Sequence, residues 1–583
     1  MYGYFFGEME IKMNTVVQTR WKNWLSQSLE DADLTAELQA MAEDEKTIED
    51  CFYKELEFGT GGLRGVIGAG TNRMNIYTVA KATQGYADYL NESFVSPSVA
   101  IAYDSRIKSE RFAEVAAEVL AANGIRVYIY PELMPTPALS FAVRNLNCSG
   151  GIVITASHNP AKYNGYKVYG ADGCQITTKA AKEILARINA VDIFFGVKSM
   201  QFAQGIEQKR ISYIGEETVE AFIRAVSAQS LCGDAAYDKS VSIVYTPLNG
   251  TGLKCVLRCL KENGFTNISV VKEQAEPNGH FPTCPYPNPE IREALELGLK
   301  EAKRLGSELL LATDPDCDRV GIAVKSEDDF VLLSGNEVGM LLLDYICKRR
   351  LALKRMPKNP LVVKTIVTID MAKRIAADYG VQVIDVLTGF KFIGEQIGFL
   401  EKKGEEDRYI LGFEESYGYL TGSYVRDKDA VNASLMICEM FAYYKAKGQS
   451  LLDVLNGLYT KYGYCLNTLH GYEFEGASGF RKMQDIMEKL RDNCPKTWMG
   501  RKIISVSDYQ MSITRYNDGR VEKIDLPVSN VLKFELEDNL SVVVRPSGTE
   551  PKLKMYMSVS AGSREEAGDL ERHFVKELEA MFA

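Results

Sequence analysis

The chain has 583 residues, about four times the roughly 150 residues of an ordinary domain, so several domains are expected. Hydrophobic residues make up 46%, charged residues 25% and aromatic residues 10%, proportions that exclude a largely disordered or collagen-like chain. Lys plus Arg (68) against Asp plus Glu (78) leaves a net charge of −10 with no basic tail, which argues against nucleic acid as a partner.

Twelve cysteines are sparse for this length, and no Cys-x-x-Cys pair occurs. Cys255 and Cys259 have no second pair to complete a zinc site, so a reducing compartment fits best. No run of about 18 apolar residues is present, so no membrane partner is expected. The opening MYGYFFGEMEIKM carries Glu8 and Glu10 where a secretory signal would be positive. The expectation is a cytoplasmic protein. Met13 is an alternative start, because the first amphipathic pattern begins there; residues 1–12 would then be a disordered extension.

From residue 58 the sequence reads Phe58-Gly-Thr-Gly-Gly-Leu-Arg64-Gly65, a flexible loop ending in a cation, although a linker turn would look similar. A Walker phosphate loop is excluded because Gly-Lys never occurs in the chain. Short β-branched runs then alternate with stretches of helical period, as in a mainly parallel sheet covered by helices. VAIAYDS (99–105) precedes a helix over 109–124, and GGIVITASHNP (150–160) precedes another near 178–190. In Thr155-Ala-Ser157-His158-Asn159-Pro160 a hydroxyl stands beside an imidazole, a combination that suits a nucleophile or a phosphorylated residue. An isolated Ser-His turn would be unremarkable. Here, however, the imidazole is one of only four in the chain, and Tyr163-Asn-Gly-Tyr-Lys167 follows at once.

The α/β unit recurs at SIVYTPLNGTG (242–252), LLLATDPDCDR (309–319) and PLVVKTIVT (360–368). In Asp314-Pro-Asp316-Cys317-Asp318-Arg319, alternation in an extended loop would point three carboxylates the same way. They would repel unless a hard cation such as Mg²⁺ lay between them. An EF-hand is ruled out, since its sixth and twelfth positions are here Arg319 and Lys325. Gly412-Phe-Glu414-Glu415-Ser416-Tyr-Gly418 offers carboxylates and a hydroxyl suited to a polyol, a weak signal alone. After residue 462 alternating segments and a helical end (564–582) predict a smaller α+β domain. Its Arg545-Pro-Ser547-Gly548-Thr549-Glu-Pro-Lys552 can be a phosphate cradle or a surface turn. The fold class expected is three related α/β domains with mixed sheets plus a C-terminal α+β domain around a central cleft. Domain limits fall at 1–205, 206–328, 329–462 and 463–583.

Four of these loops, TASHNP with YNGYK, DPDCDR, GFEESYG and RPSGTEPK, resemble in their order the α-D-phosphohexomutase superfamily of phosphoglucomutases and phosphomannomutases. The likeness runs from about residue 40 to the end. With LTGFKFIGE (387–395) and RDKDA (426–430), it is strongest to the long bacterial phosphoglucomutase branch. The resemblance implies that Ser157 carries a phosphoryl group, whose oxygen joins Asp314, Asp316 and Asp318 around Mg²⁺. His158, Lys167, Arg319 and Lys391 would be catalytic. Arg64 and Lys428 would bind substrate near the transferred group, Glu414 and Ser416 would hold sugar hydroxyls, and Arg545, Ser547, Gly548 and Thr549 would clamp the remote phosphate. Two departures stand out. Cys317 occupies a place often held by Ala, and Asn249 one commonly held by His, so no catalytic role is assigned to Asn249.

The expected enzyme is an intramolecular phosphotransferase of the isomerase class, a phosphoglucomutase with glucose 1,6-bisphosphate as intermediate and activator. Phosphopentomutase, phosphomannomutase, glucose-1,6-bisphosphate synthase and, less readily, a sugar phosphatase are the alternatives. Partners are small sugar phosphates, and the assembly is a monomer or dimer.

Overall fold

The computed structural model describes residues 15–582 apart from 60, 234–235, 328, 475, 499 and 547–551. The expected disordered extension and the choice between Met1 and Met13 therefore lie outside the described residues, as do Ser547, Gly548 and Thr549. Three short helices, Thr15–Leu25, Ala32–Ala40 and Glu45–Phe52, cap the first unit. Trp24, only 1% exposed, anchors them edge-on against Phe52, Tyr77 and Phe194, with centroids 5.3–5.9 Å apart.

Four sheets follow. The first contains β1 (Gly62–Val66), β2 (Ser98–Tyr103), β3 (Arg126–Ile129), β4 (Gly150–Ile154), β5 (Tyr163–Gly170) and β6 (Ile211–Tyr213), in the order 1-5-4-2-3-6. The second contains β7 (Ile243–Thr246), β8 (Ile268–Val270), β9 (Leu309–Thr313), β10 (Val320–Ser326) and β11 (Asp329–Leu333), in the order 11-10-9-7-8. β12 (Leu361–Thr365), β13 (Gln382–Val386), β14 (Tyr409–Phe413) and β15 (Tyr419–Leu420) form the third, in the order 13-12-14-15. β6 and β11 carry the first two sheets past the limits read near 205 and 328. β10 and β11 pair antiparallel, Ser326 opposite Asp329, so the limit read at 328 falls between two paired strands.

One device is repeated in all three units. A strand paired in parallel on one side ends in a polar loop, and the chain returns antiparallel on its other side. β4 pairs parallel with β2 and antiparallel with β5. β9 does the same with β7 and β10, and β14 with β12 and β15. β4, β9 and β14 are fully buried, as expected of central strands covered on both faces. The returning strand makes each loop a closed turn at the carboxyl end of the parallel pair, where open α/β sheets gather ligands.

The fourth unit is β-rich, with β16 (Tyr464–Glu473), β17 (Thr497–Trp498), β18 (Arg501–Asp508), β19 (Ile513–Tyr516), β20 (Val521–Lys523), β21 (Leu532–Leu536), β22 (Leu540–Pro546) and β23 (Lys552–Ala561). Helices Gly476–Asp492 and Arg564–Phe582 pack on its sheet. One continuous core runs through parts of the first three units, whereas the fourth has a core of its own. A small apolar seam joins third and fourth units, formed by Ile366, Val367 and Leu387 against Tyr509, Val531, Val543 and Tyr556.

Beside that seam lies an ionic cluster. Lys364, completely buried, meets Asp370 at 3.1 Å and Asp385 at 3.0 Å, and Lys533 of the fourth unit meets the other Asp370 oxygen at 3.1 Å. Burial opposes the Asp370 charge, but Lys364, Lys533 and Lys373 outweigh it and hold the carboxyl well below its usual range. Because the folded value is depressed, the stabilisation is full above about pH 4 and lost as pH falls through the folded value. Asp370→Ala is expected to destabilise the attachment of the fourth unit by about 2 kcal/mol. This is less than the roughly 3–5 kcal/mol for a fully buried pair, because the Asp370 side chain keeps 27% exposure. Urea unfolding of parent and variant at pH 7 measures the difference.

Candidate active site

The loop after β4 places Ser157 in the left-handed backbone region (φ 52°), with its N–H donating to Thr155 Oγ1 at 2.8 Å. The turn sends the Ser157 hydroxyl inward, where it donates to Asp314 Oδ2 at 2.7 Å and stands 3.2 Å from His158 Nδ1. Ser157 is 4% exposed. The imidazole is poorly solvated and faces Arg319 and Arg64, which drives its pKa down to about 2 and leaves it uncharged at neutral pH.

Asp314, Asp316 and Asp318 present carboxylate oxygens within 4.8 Å of one another. The cause differs from the expected extended alternation. Residues 314–319 form a tight turn in which the Cys317 N–H donates to Asp314 O at 2.9 Å and Cys317 takes φ 52°. Asp314 Oδ1 accepts the N–H groups of Asp318 (3.1 Å) and Arg319 (3.0 Å), so one carboxylate ties the turn together. Cys317 is buried in the shared core on the far side, consistent with a side chain that takes no part in the acidic pocket.

Charge repulsion at the pocket is met from three units. Lys167 on β5 donates to Asp316 Oδ2 at 3.0 Å, and Lys428 lies 3.0 Å from Asp318 Oδ2. Arg319 Nε lies 3.8 Å from Asp318, and the same guanidinium bonds Glu290 at 3.0 Å. Burial and mutual repulsion push Asp314 and Asp318 upward, while Lys167 overcomes burial and holds Asp316 low. Even with these partners, Asp316 Oδ1 and Asp318 Oδ1 are buried and accept no hydrogen bond among the described residues. Two orphaned hard oxygens beside a third carboxylate fit a divalent cation of the Mg²⁺ type.

The remaining expected residues are distributed around this centre. Arg64 on β1 is solvent-accessible and acts electrostatically on Arg319, Asp316 and Asp318. Glu414 is 5% exposed and accepts the Gly389 N–H at 3.0 Å, joining the GFEESYG and LTGFK loops. Burial raises its pKa to about 7, against the pull of Lys428. Ser416 is half-buried in the same turn. Arg545, at the end of β22, acts on the Tyr556 phenol, which also feels Glu415 and Glu414 of the GFEESYG turn. Lys391 is buried, and the titratable groups acting on it are Cys174, a thiol that burial keeps neutral, and Glu395 rather than the aspartates. Asn249 clasps backbone, donating to Glu276 O at 2.8 Å.

Several residues that complete the site carried no separable sequence signal. Thr136 donates to Asp316 Oδ2 at 3.0 Å from the start of a helix in the first unit. Asp427 accepts the Tyr169 phenol at 2.6 Å and lies 3.2 Å from Lys428 Nζ, fixing the lysine between two acids. Arg106 donates to the Pro160 and Tyr163 carbonyls at 3.0 and 3.1 Å and also to those of Ser157 and Asn159. Of these, only Asp427 could have been suspected, from its place in RDKDA beside Lys428.

Three family models match the chain in succession: phosphoglucomutase/phosphomannomutase alpha/beta/alpha domain I over residues 55–193, domain II over 220–327 and domain III over 334–462. A phosphoglucomutase of Staphylococcus haemolyticus (strain JCSC1435) is 36% identical over 517 residues, covering 88% of this chain and 92% of the relative. One of Staphylococcus saprophyticus is 37% identical with the same coverage. Among solved structures, the open form of pp63/parafusin from Paramecium superposes with a TM-score of 0.66 at 18% identity, covering 91% of this chain and 95% of that one. A phosphoglucomutase/phosphomannomutase family protein from Burkholderia thailandensis gives 0.66 at 18% identity, covering 90% and 97%. Shared architecture, the three successive matches and the full-length relatives together mean that the chain belongs to the phosphoglucomutase/phosphomannomutase family.

Proposed function

We propose that the chain is a Mg²⁺-dependent phosphoglucomutase, interconverting glucose 1-phosphate and glucose 6-phosphate through a phosphoryl group on Ser157 and a glucose 1,6-bisphosphate intermediate. The observation that carries this reading is the buried Ser157 hydroxyl, 2.7 Å from Asp314, on the edge of an acidic pocket in which two buried carboxylate oxygens accept no hydrogen bond among the described residues. Full-length relatives named phosphoglucomutase support glucose as the sugar.

Asp314, Asp316, Asp318 and an oxygen on Ser157 would hold the cation, which supplies neutralisation of phosphoryl oxygens. The chain's own groups do the rest. Lys167, Arg319, Lys428 and Arg64 concentrate positive charge around Ser157, so phosphoryl oxygens are bound despite the net charge of −10. His158, kept neutral, can exchange a hydrogen bond with Ser157 Oγ without adding charge. Glu414 and Ser416 accept and orient sugar hydroxyls; Lys391 contributes from the adjoining LTGFK loop. In transfer, a sugar hydroxyl oxygen bonds to phosphorus as the bond to Ser157 Oγ breaks, and the hydroxyl proton leaves with the seryl oxygen or to solvent. The resulting bisphosphate turns over in the cleft and returns its other phosphoryl group to Ser157. Arg545, with Ser547, Gly548 and Thr549, would hold whichever phosphate is not reacting. The cleft would have to exclude water during transfer, because water would otherwise hydrolyse the phosphoserine.

Turnover of the phosphates of glucose, mannose and ribose, with release of inorganic phosphate followed in parallel, ranks the sugars; preference for mannose or ribose, or net phosphate release, defeats the assignment. Ser157→Ala is expected to abolish turnover with the fold intact, and intact mass of the parent to show about 80 Da of added phosphoryl. Asp316→Asn is expected to weaken Mg²⁺ binding, followed by calorimetry, by more than the roughly 10–100-fold caused by losing an outer-shell partner. In the free enzyme, kcat/KM for glucose 1-phosphate is expected to rise as pH passes through about 7, where Glu414 becomes an ionised acceptor, and Glu414→Gln to flatten that rise.

A further inference from the structure

From the geometry we infer that Arg106 is a positioning residue for phosphoryl transfer: its buried guanidinium holds the reactive loop in the one conformation that presents Ser157 Oγ to the acidic pocket. This inference rests on the assignment of Ser157 as the phosphoryl carrier.

The Arg106 side chain is fully inaccessible to solvent. Its Nη1 donates to Pro160 O (3.0 Å) and Tyr163 O (3.1 Å), and its Nη2 to Ser157 O and Asn159 O. One planar fork thus gathers four carbonyls from seven consecutive residues, a task that suits the fixed array of guanidinium donors and that a single ammonium cannot reproduce. The loop needs such a tie. It leaves regular structure after Ile154, passes through a serine at φ 52° and re-enters β5 at Tyr163, and a non-glycine residue in that backbone region persists only when its surroundings hold it there.

The fork is itself aimed from two sides. Asp104 Oδ2 lies 3.4 Å from Arg106 Nε, while Asp104 Oδ1 accepts the Arg106 N–H at 2.9 Å and the Ser109 hydroxyl at 2.7 Å. The positive charge is therefore balanced within the first unit, and the carbonyls take up both Nη groups, so Arg106 acts through the backbone rather than on a phosphate. From the second unit, the Phe281 ring lies 5.1 Å from the guanidinium carbon, and Gly279 bridges Arg106 along the backbone. A Cβ on Gly279 would fall 2.5 Å from Ile107 N, so the two units meet here without room for a side chain. The second unit also carries the aspartates. Arg106 thus ties the loop bearing the hydroxyl to the body bearing its acidic partners.

The test compares Arg106→Lys and Asp104→Asn with the parent, measuring kcat and KM for glucose 1-phosphate, melting temperature, and amide hydrogen exchange by mass spectrometry. Misplacement of a reacting group by about 1 Å costs on the order of 100-fold in rate, so Arg106→Lys is expected to lower kcat by about that factor with KM within about threefold of the parent. Exchange over 155–163 should accelerate while 314–319 stays as in the parent, and Asp104→Asn should reproduce this pattern more mildly. Should Arg106→Ala fold, millimolar methylguanidinium is expected to restore part of its kcat. Parent-like kcat in Arg106→Lys, or unaltered exchange over 155–163, overturns the inference; so does a loss of kcat matched by accelerated exchange throughout the first unit. Exchange is read without substrate and therefore reports on loop ordering whichever sugar reacts, whereas full activity in Ser157→Ala defeats the phosphoserine reading alone.

Discussion

Three carboxylates confined within 4.8 Å in a buried turn cannot all remain ionised without nearby positive charge, and this constraint governs how the rest of the molecule is arranged. The second unit carries the acids but supplies only Arg319 to offset them. Lys167 comes from the first unit and Lys428 from the third, so the ionised turn is stabilised only when the three units are docked. Even then two buried carboxylate oxygens, Asp316 Oδ1 and Asp318 Oδ1, accept no hydrogen bond among the described residues, a residual demand that suits a cation.

Docking is rigid where the chemistry requires it. The first three units share a continuous core, and the contacts that cross it reach the site itself: Thr136 N–H donates to Asp316 O at 2.9 Å, and Ala430 N–H to Cys317 O at 3.3 Å. The fourth unit is fastened by a smaller apolar seam and the Asp370 cluster. Its Tyr556 feels both Arg545 and the third unit's Glu415 and Glu414. The acids and the cations that offset them thus come from three units, while the fourth is attached separately through the third.

The architecture was legible because its signals are local. Fully buried strands such as GGIVI and LLLAT read as continuous apolar runs, and the polar segments that end them stand out for that reason. The short edge strands β6 and β11 left no mark in the sequence reading, since three to five half-exposed residues carry little periodicity. The three aspartates were recognisable from their spacing, but the extended geometry inferred for them was not what forms. A turn closed by Asp314 Oδ1 and a left-handed Cys317 brings them together instead, and backbone hydrogen bonds of that kind depend on how the following strand pairs.

The sequence by itself determined the alternating α/β plan, the hydroxyl beside an imidazole, the acidic turn and the order of the loops, all properties written in residues close together along the chain. Only the tertiary structure decided that Ser157 meets Asp314 across 157 positions, that Lys428 rather than Lys391 stands at the acids, and that Arg106 gathers the serine loop. Side-chain identity specifies which bonds a residue can make. Which bonds it does make depends on the strand register and domain docking that set distances between segments far apart in sequence.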